Sequence, residues 1–160
     1  MTIDAVIVNA CYERAIAFSP CKKFKVGAVI VPTIKGESKW SECAENIGVN
    51  WREREKEAGW LPKCETFLAL RCGKECPCGK ARHAEVDAIL RYKREFWYLG
   101  DTDFLTLYTT HYPCAKCLNA ALSIGVTRLV IGHSTPNDEA DSAALYQAME
   151  EGLLEEVRFV

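Results

Sequence analysis

The sequence predicts an α/β protein of one domain, residues 1–160, with helices on both sides of a central five-stranded mixed sheet. Three observations carry this expectation. Short runs rich in β-branched and aromatic residues alternate with longer stretches of helical period, in the order α-β-β-α-β-α-β-α-β. The later strands are joined through helices, which implies parallel neighbours there. A chain of 160 residues can bury a real core without crosslinks and has the usual length of one domain.

Each element has a local reason. "MTIDAVIVNACYERAIAF" opens the chain, and apolar residues recur at Ile3, Ile7, Ala10, Cys11, Ala15 and Phe18, the spacing of an amphipathic helix. Asp4 and the lack of a basic lead-in argue against a secretory signal. "KFKVGAVIV" (23–31) reads as a buried strand, with Pro32 and Gly36 marking a turn. "WSECAENIGVN" (40–50) reads as a second strand that pairs back as a hairpin. Residues 51–82 form a Cys-rich insertion, too long and irregular for an ordinary loop. From Ala84 the period turns helical, with Val86, Ile89, Leu90 and Tyr92 along one broad face. "DFLTLYTT" (103–110) is a strand, and "CAKCLNAALSIG" (114–125) a short helix closed by Gly125. A strand "VTRLVIG", a helix "EADSAALYQAMEEG" and a last strand "LLEEVRFV" complete the chain.

The formal net charge of −2, from 20 basic and 22 acidic side chains, argues against a nucleic-acid surface. No apolar run is long enough to span a bilayer. With no signal peptide expected, the protein belongs in a reducing cytoplasm. There, nine cysteines partly in C-x-x-C spacing point to metal or redox chemistry rather than disulfides.

"ARHAEVDAIL" (81–90) and "HYPCAKCLNA" (111–120) hold the chemistry. Cys114 and Cys117 lie three apart at a helix start, so their thiols face one side, and Pro113 suits that entrance. With His83 they make three good zinc ligands. Three protein ligands leave the fourth tetrahedral position open for water, the mark of a catalytic zinc. Glu85, two residues after His83, can reach the same cavity without ligating and can move protons. H-A-E alone occurs by chance, and P-C-x-x-C alone also suits redox pairs and structural zinc. Together they form the signature of zinc deaminases acting on nucleobases.

The chain resembles the deoxycytidylate (dCMP) deaminases of the cytidine deaminase superfamily, phage-type members especially, over nearly its whole length. "CKKFKVGAVIV", "IGVN", "RHAEVDAIL" and "LYTTHYPCAKCLNAALSIGVTRLVIG" carry the likeness. The resemblance implies a three-layer α-β-α cytidine deaminase-like fold, zinc on His83, Cys114 and Cys117, and Glu85 as proton shuttle. It implies that Asn50 contacts the sugar, that Val26, Gly27 and Ala28 wall the base pocket, and that the Ala84 backbone reads the cytosine edge. The implied reaction is hydrolytic deamination of dCMP to dUMP and ammonia, supplying dUMP for thymidylate synthesis. A homo-oligomer, hexamer or dimer, is implied too, in the host cytoplasm if the source is viral.

Two departures bear on regulation by dCTP and dTTP, which some members bind near this helix. Asp87 stands where Asn is usual, and Arg91 where an aromatic residue is common. Arg94 falls at the place of an effector-site arginine; a solvated helix face is the other reading of both arginines.

"CGKECPCGK" brings Cys72, Cys76 and Cys78 within seven residues, close enough to wrap a single metal. The resemblance implies a second, structural zinc here, with Cys21 as a further ligand and Cys64 as its rival. Free thiols in a loop are the alternative. Cys11 and Cys43 are expected in the core. A nucleotide monophosphate needs fixed cations near Asn50, and Lys22, Lys23, Lys25 and Arg52 are the candidates, most of them expected to be plain surface charges. Rival functions are a tRNA adenosine deaminase, another zinc nucleoside or nucleotide deaminase, and a zinc-stabilised binding module. Glu85 argues against the last, since a purely structural site needs no proton shuttle.

Overall fold

A computed structural model describes residues 1–19, 25–52, 81–96 and 98–160. The first helix, α1 (Ile3–Phe18), starts at Thr2, whose Oγ1 accepts the N–H of Ala5 at 3.2 Å. Its buried stripe is Asp4, Ile7, Val8, Cys11 and Ala15. The two ends of the expected stripe, Ile3 and Phe18, are exposed instead. The Arg14 guanidinium lies 4.3 Å from the centre of the Phe18 ring.

The sheet is built on β1 (Gly27–Ile34), which runs antiparallel to β6 (Phe104–His111). Strands β7 (Val126–His133) and β8 (Glu156–Phe159) continue from β6 in parallel, as the helical connections require. On its other side β1 meets two strands of two residues each, β2 (Glu37–Ser38) and β3 (Gly48–Val49). These two share the fifth position of the mixed sheet.

The expected strand over 40–50 is therefore wrong for most of its length. Residues Trp40–Cys43 form a short helix, α2, and Ala44–Asn46 a 3-10 turn. The reason lies on the neighbouring strand. Pro32 sits inside β1 opposite Leu105, and its carbonyl accepts the N–H of Lys39 at 3.0 Å. A strand residue's N–H and carbonyl point the same way, so the missing Pro32 donor faces outward, away from β6. A continuous outer strand finds no donor there, and the chain leaves the ladder. The turn itself falls at Lys35–Gly36, both with positive φ, and not at Pro32.

Three helices cover the opposite face: α3 (Ala84–Phe96), α4 (Ala115–Ser123) and α5 (Glu139–Glu150). Alternation along β1 sorts the core. Val29 and Val31 join Ile7, Val8, Cys11, Tyr108 and Val130 on the α1 side. Ala28 and Ile30 join Ala84, Ala88, Leu118, Ala121, Leu129 and Leu145 on the other. This is the expected three-layer α-β-α arrangement. Along α3 the buried apolar face runs through Ala84, Ala88, Ile89 and Phe96, whereas Leu90, expected inside, is 46% exposed. Cys11 and Cys43 are buried as expected, Cys43 from α2 rather than from a strand.

A buried carboxylate fastens α1 to the sheet. Asp4 accepts hydrogen bonds from Tyr108 Oη (3.0 Å), from both terminal nitrogens of Arg128 (3.1 and 2.6 Å) and from Arg158 (3.0 Å). At the insertion, β4 (Trp51–Arg52) pairs antiparallel with β5 (Ala81–Arg82), so its two ends meet. Among the described residues no helix is long and apolar enough to cross a membrane.

Candidate active site

Two helix starts meet under the sheet. β5 runs directly into His83 and then α3. β6 leads through Tyr112 and Pro113 to Cys114, the N-cap of α4. Cys114 is extended, and its Sγ accepts the N–H of Cys117 at 3.4 Å, as a serine oxygen would at such a position. The two sulfurs lie 3.1 Å apart, and His83 Nδ1 is 3.6 Å from Cys114 Sγ and 3.3 Å from Cys117 Sγ. Among the described residues this is the one group of three possible metal donors.

The donor set fits zinc. Tetrahedral bonds of about 2.3 Å to sulfur and about 2.0 Å to nitrogen put such donors about 3.5–3.8 Å apart. The two sulfur–nitrogen distances are already close to that, and the sulfurs need to part by roughly half an ångström. Charge fits too. The thiol proton shared from Cys117, together with His83, holds Cys114 far below the usual thiol range. The Cys114 thiolate and burial push Cys117 up. Its hydrogen bond to Cys114 pulls His83 up, toward imidazolium. A divalent cation replaces two such protons with its two charges and leaves two thiolates and a neutral imidazole as ligands.

Glu85 is buried in the first turn of α3. Burial raises its pKa, so this carboxyl keeps its proton more readily than a surface glutamate. Thr109 Oγ1 lies 3.4 Å from Glu85 Oε1 and 3.1 Å from the His111 carbonyl. A protonated Glu85 can donate to Thr109 while the threonine hydroxyl donates to His111; an ionised Glu85 competes for that hydroxyl. The site can thus hold the carboxyl in either state.

Asn50 follows β3 and is buried. Its Oδ1 accepts the N–H of Val26 (2.9 Å) and the Ser19 hydroxyl (2.6 Å), and its own N–H donates to the Val26 carbonyl (3.1 Å). Of the residues expected to wall the pocket, Ala28 and Ala84 lie in one core cluster and Val26 packs against it. Gly27 answers to the other layer: a Cβ there would lie 2.2 Å from the Cys11 carbonyl oxygen of α1.

The cation candidates separate. Lys25 donates to the Ser19 carbonyl, one residue removed from Asn50. Arg52 is placed in β4, while Lys22 and Lys23 lie outside the described residues. So do Cys21, Cys64, Cys72, Cys76 and Cys78. Arg94 is exposed and pairs with Glu95 at 2.9 Å. Arg91 is turned back onto Asp87 at 3.0 Å and is no freely solvated charge.

Sequence reasoning missed two supporting groups. Asp141, buried on α5, accepts the N–H of Ala115 at 2.9 Å and so braces the start of α4 behind Cys114. Thr109 supports Glu85 from β6. Neither stands in a motif with the residue it serves; strict alternation inward along "LYTT" is the one local hint for Thr109.

Two cysteines and a histidine at helix starts, with a buried carboxyl beside them, are the donor set and acid–base group of the zinc deaminase class of hydrolases. The comparison with known families agrees and is narrower. The chain belongs to the cytidine and deoxycytidylate deaminase family, whose zinc-binding region matches residues 1–133. The deoxycytidylate deaminase of Mycobacterium phage D29 is 31% identical over 128 residues, covering 78% of this chain and 87% of that protein. The deoxycytidylate deaminase of Schizosaccharomyces pombe is 29% identical over 130 residues, covering 81% of this chain. The chain spans 37% of that relative's length. Among solved structures, the cyanophage S-TIM5 dCMP deaminase in complex with dCMP and dUMP aligns with a TM-score of 0.63 at 21% identity. That alignment covers 100% of this chain and 99% of that one. The Rib2 deaminase of Aspergillus oryzae aligns at 0.59 with 16% identity, covering 98% and 83%. Likeness at these identities speaks for the fold.

Proposed function

We propose that this protein hydrolyses dCMP to dUMP and ammonia, with zinc held by His83, Cys114 and Cys117. The observation that carries the reading is Glu85: a buried carboxyl of raised pKa in the first turn of the helix that directly follows His83. Zinc at that place supplies a Lewis acid that brings the pKa of a water toward about 7. Glu85 takes a proton from the attacking water and delivers it to the ring nitrogen N3. It passes a second proton to the amine as the C4–N bond breaks. Oxygen from water stays on C4 and ammonia leaves. Such a shuttle works best when its pKa approaches the working pH, the direction in which burial moves Glu85. Asn50 meets the sugar, the Ala84 backbone faces the cytosine edge, and Val26, Gly27 and Ala28 line the base.

The base and phosphate assignments rest on the names of the relatives and on Lys25 standing next to Ser19 and Asn50. Lys22, Lys23 and Arg52 are the other phosphate candidates. The finer reading has several parts. Residues 1–160 form one domain with an insertion at about 51–82, closed by the β4–β5 ladder. A second, structural zinc is held by Cys72, Cys76 and Cys78 with Cys21 or Cys64. The protein assembles as a homo-oligomer, hexamer or dimer, in the cytoplasm. Arg94 is the residue to examine for dCTP or dTTP control. The test is a substrate panel of dCMP, deoxycytidine, dCTP, CMP and adenosine with ammonia release as the readout. A kcat/KM for dCMP at least 100-fold above deoxycytidine is expected. Equal values, or preference for adenosine, overturn the assignment.

A further inference from the structure

We infer that Asp87 is a positioning residue that locks the sugar side of the site to the metal side, and that Arg91 is its obligate charge partner. This rests on the reading of Asn50 and Glu85 given above.

Asp87 is buried near the start of α3, with its side chain 8% exposed. Three separate elements meet on its carboxylate. The N–H of Val49, in β3, donates to Oδ2 at 3.2 Å. Arg91, one turn further along α3, donates Nε to the same oxygen at 3.0 Å. Arg82, in β5, brings Nη1 to 3.8 Å from Oδ1. Two of these groups adjoin a residue of the site. Val49 precedes Asn50, and Arg82 precedes His83. Asp87 itself lies half a turn beyond Glu85, and its N–H donates to the His83 carbonyl at 3.1 Å. One side chain therefore connects the strand that presents Asn50, the strand that presents His83 and the helix that presents Glu85.

The contact works only as a set. Val49 needs an acceptor at position 87, since its N–H is buried against α3. A carboxylate placed there is costly unless a cation is bonded to it, and Arg91 is at the i+4 spacing that allows the bond. Without Arg91, the carboxylate loses its closest counter-charge. Without the carboxylate, Arg91 loses its ionic partner among the described residues, and the Arg82 guanidinium loses an anion. The two residues should thus show one joint effect and not two separate ones.

A double-mutant cycle tests this, using Asp87→Asn, Arg91→Met and the pair together. Asp87→Asn keeps the shape and the Val49 acceptor while removing the charge, so the fold is retained. Each single variant should raise the KM for dCMP about tenfold, leave kcat within threefold and leave bound zinc at the wild-type level. The double variant should resemble the worse single one, about tenfold short of the product of the two effects. A purely structural role would lower melting temperature and zinc content without this split between KM and kcat. Multiplicative effects, or wild-type KM in either single variant, overturn the inference. If the wild type does not turn over dCMP, the substrate assignment falls instead. The same cycle read in melting temperature then judges the pair, with additive shifts overturning it.

Discussion

Replacing Gly48 by alanine should separate two halves of the site without touching a reacting group. Gly48 lies in β3, and a Cβ built on it falls 2.5 Å from the Ala88 nitrogen and 2.7 Å from the Ala84 carbonyl oxygen. Both are backbone atoms of α3, so no side chain can swing aside. Ordinary contact begins near 3.4 Å, so strand and helix must part by about 0.9 Å. β3 leads directly into Asn50 and α3 carries Glu85, and the change pushes these two apart. Overpacking of this kind costs about 1–3 kcal/mol, which for a chain of this size lowers the melting temperature by roughly 3–10 °C. A misplacement near 1 Å between binding and reacting groups costs about 100-fold in turnover. Steady-state kinetics with dCMP, beside a thermal melt and a zinc assay, give the answer. We expect kcat/KM to fall about 100-fold with zinc retained and the fold intact at 25 °C. A kcat/KM within threefold of wild type would refute the close strand–helix approach as the setting of the site.

Further outcomes follow from other residues. Glu85→Gln should keep zinc and fold yet lose at least about 10³-fold in kcat, since proton transfer goes while every ligand stays; Cys117→Ala should lose the catalytic metal itself. Retained turnover in Glu85→Gln would refute the shuttle. Asp4→Asn should lower stability at pH 7 by about 2–3 kcal/mol, moderated because Arg158 is half-exposed. Burial alone would raise the Asp4 pKa, but Arg128 and Tyr108 overcome it and hold the carboxyl below its ordinary 3.8. Its stabilisation is therefore present above about pH 4 and lost as pH falls through the lowered value, so wild-type and variant melts should converge in acid. A constant gap down to pH 2 would exclude this linkage. Elemental analysis should find two zinc ions per chain and one in Cys76→Ser; a single ion in the wild type would remove the second site.

Much of this architecture can be read from local sequence, because its causes are local. The strands of "DFLTLYTT" and "VTRLVIG" and the helix closed by Gly125 follow from period and capping within their own residues. His83, Glu85, Cys114 and Cys117 are legible for the same reason: side chains two or three positions apart at a helix start must face one cavity. What escaped depends on partners distant in sequence. Nothing within "WSECAENIGVN" announces that a proline on the adjoining strand withholds a donor and turns residues 40–43 helical. Leu90 and Ile89 are interchangeable by composition, and the direction from which α3 meets the sheet decides which is buried. Asp141 and Asp87 look like surface acids on helices until α4 and β3 are laid against them.

Cys114 fastens the helix with the same sulfur that it offers to a metal. Its Sγ accepts the Cys117 N–H, and Asp141 accepts the N–H of Ala115. The cradle thus owes part of its shape to the polypeptide's own hydrogen bonds, and loading asks the two sulfurs to move apart by only about half an ångström and release protons. Stripping with a chelator should leave a chain that reloads within its mixing time and without refolding. Competition among metals would then be settled by donor chemistry at a ready-made opening.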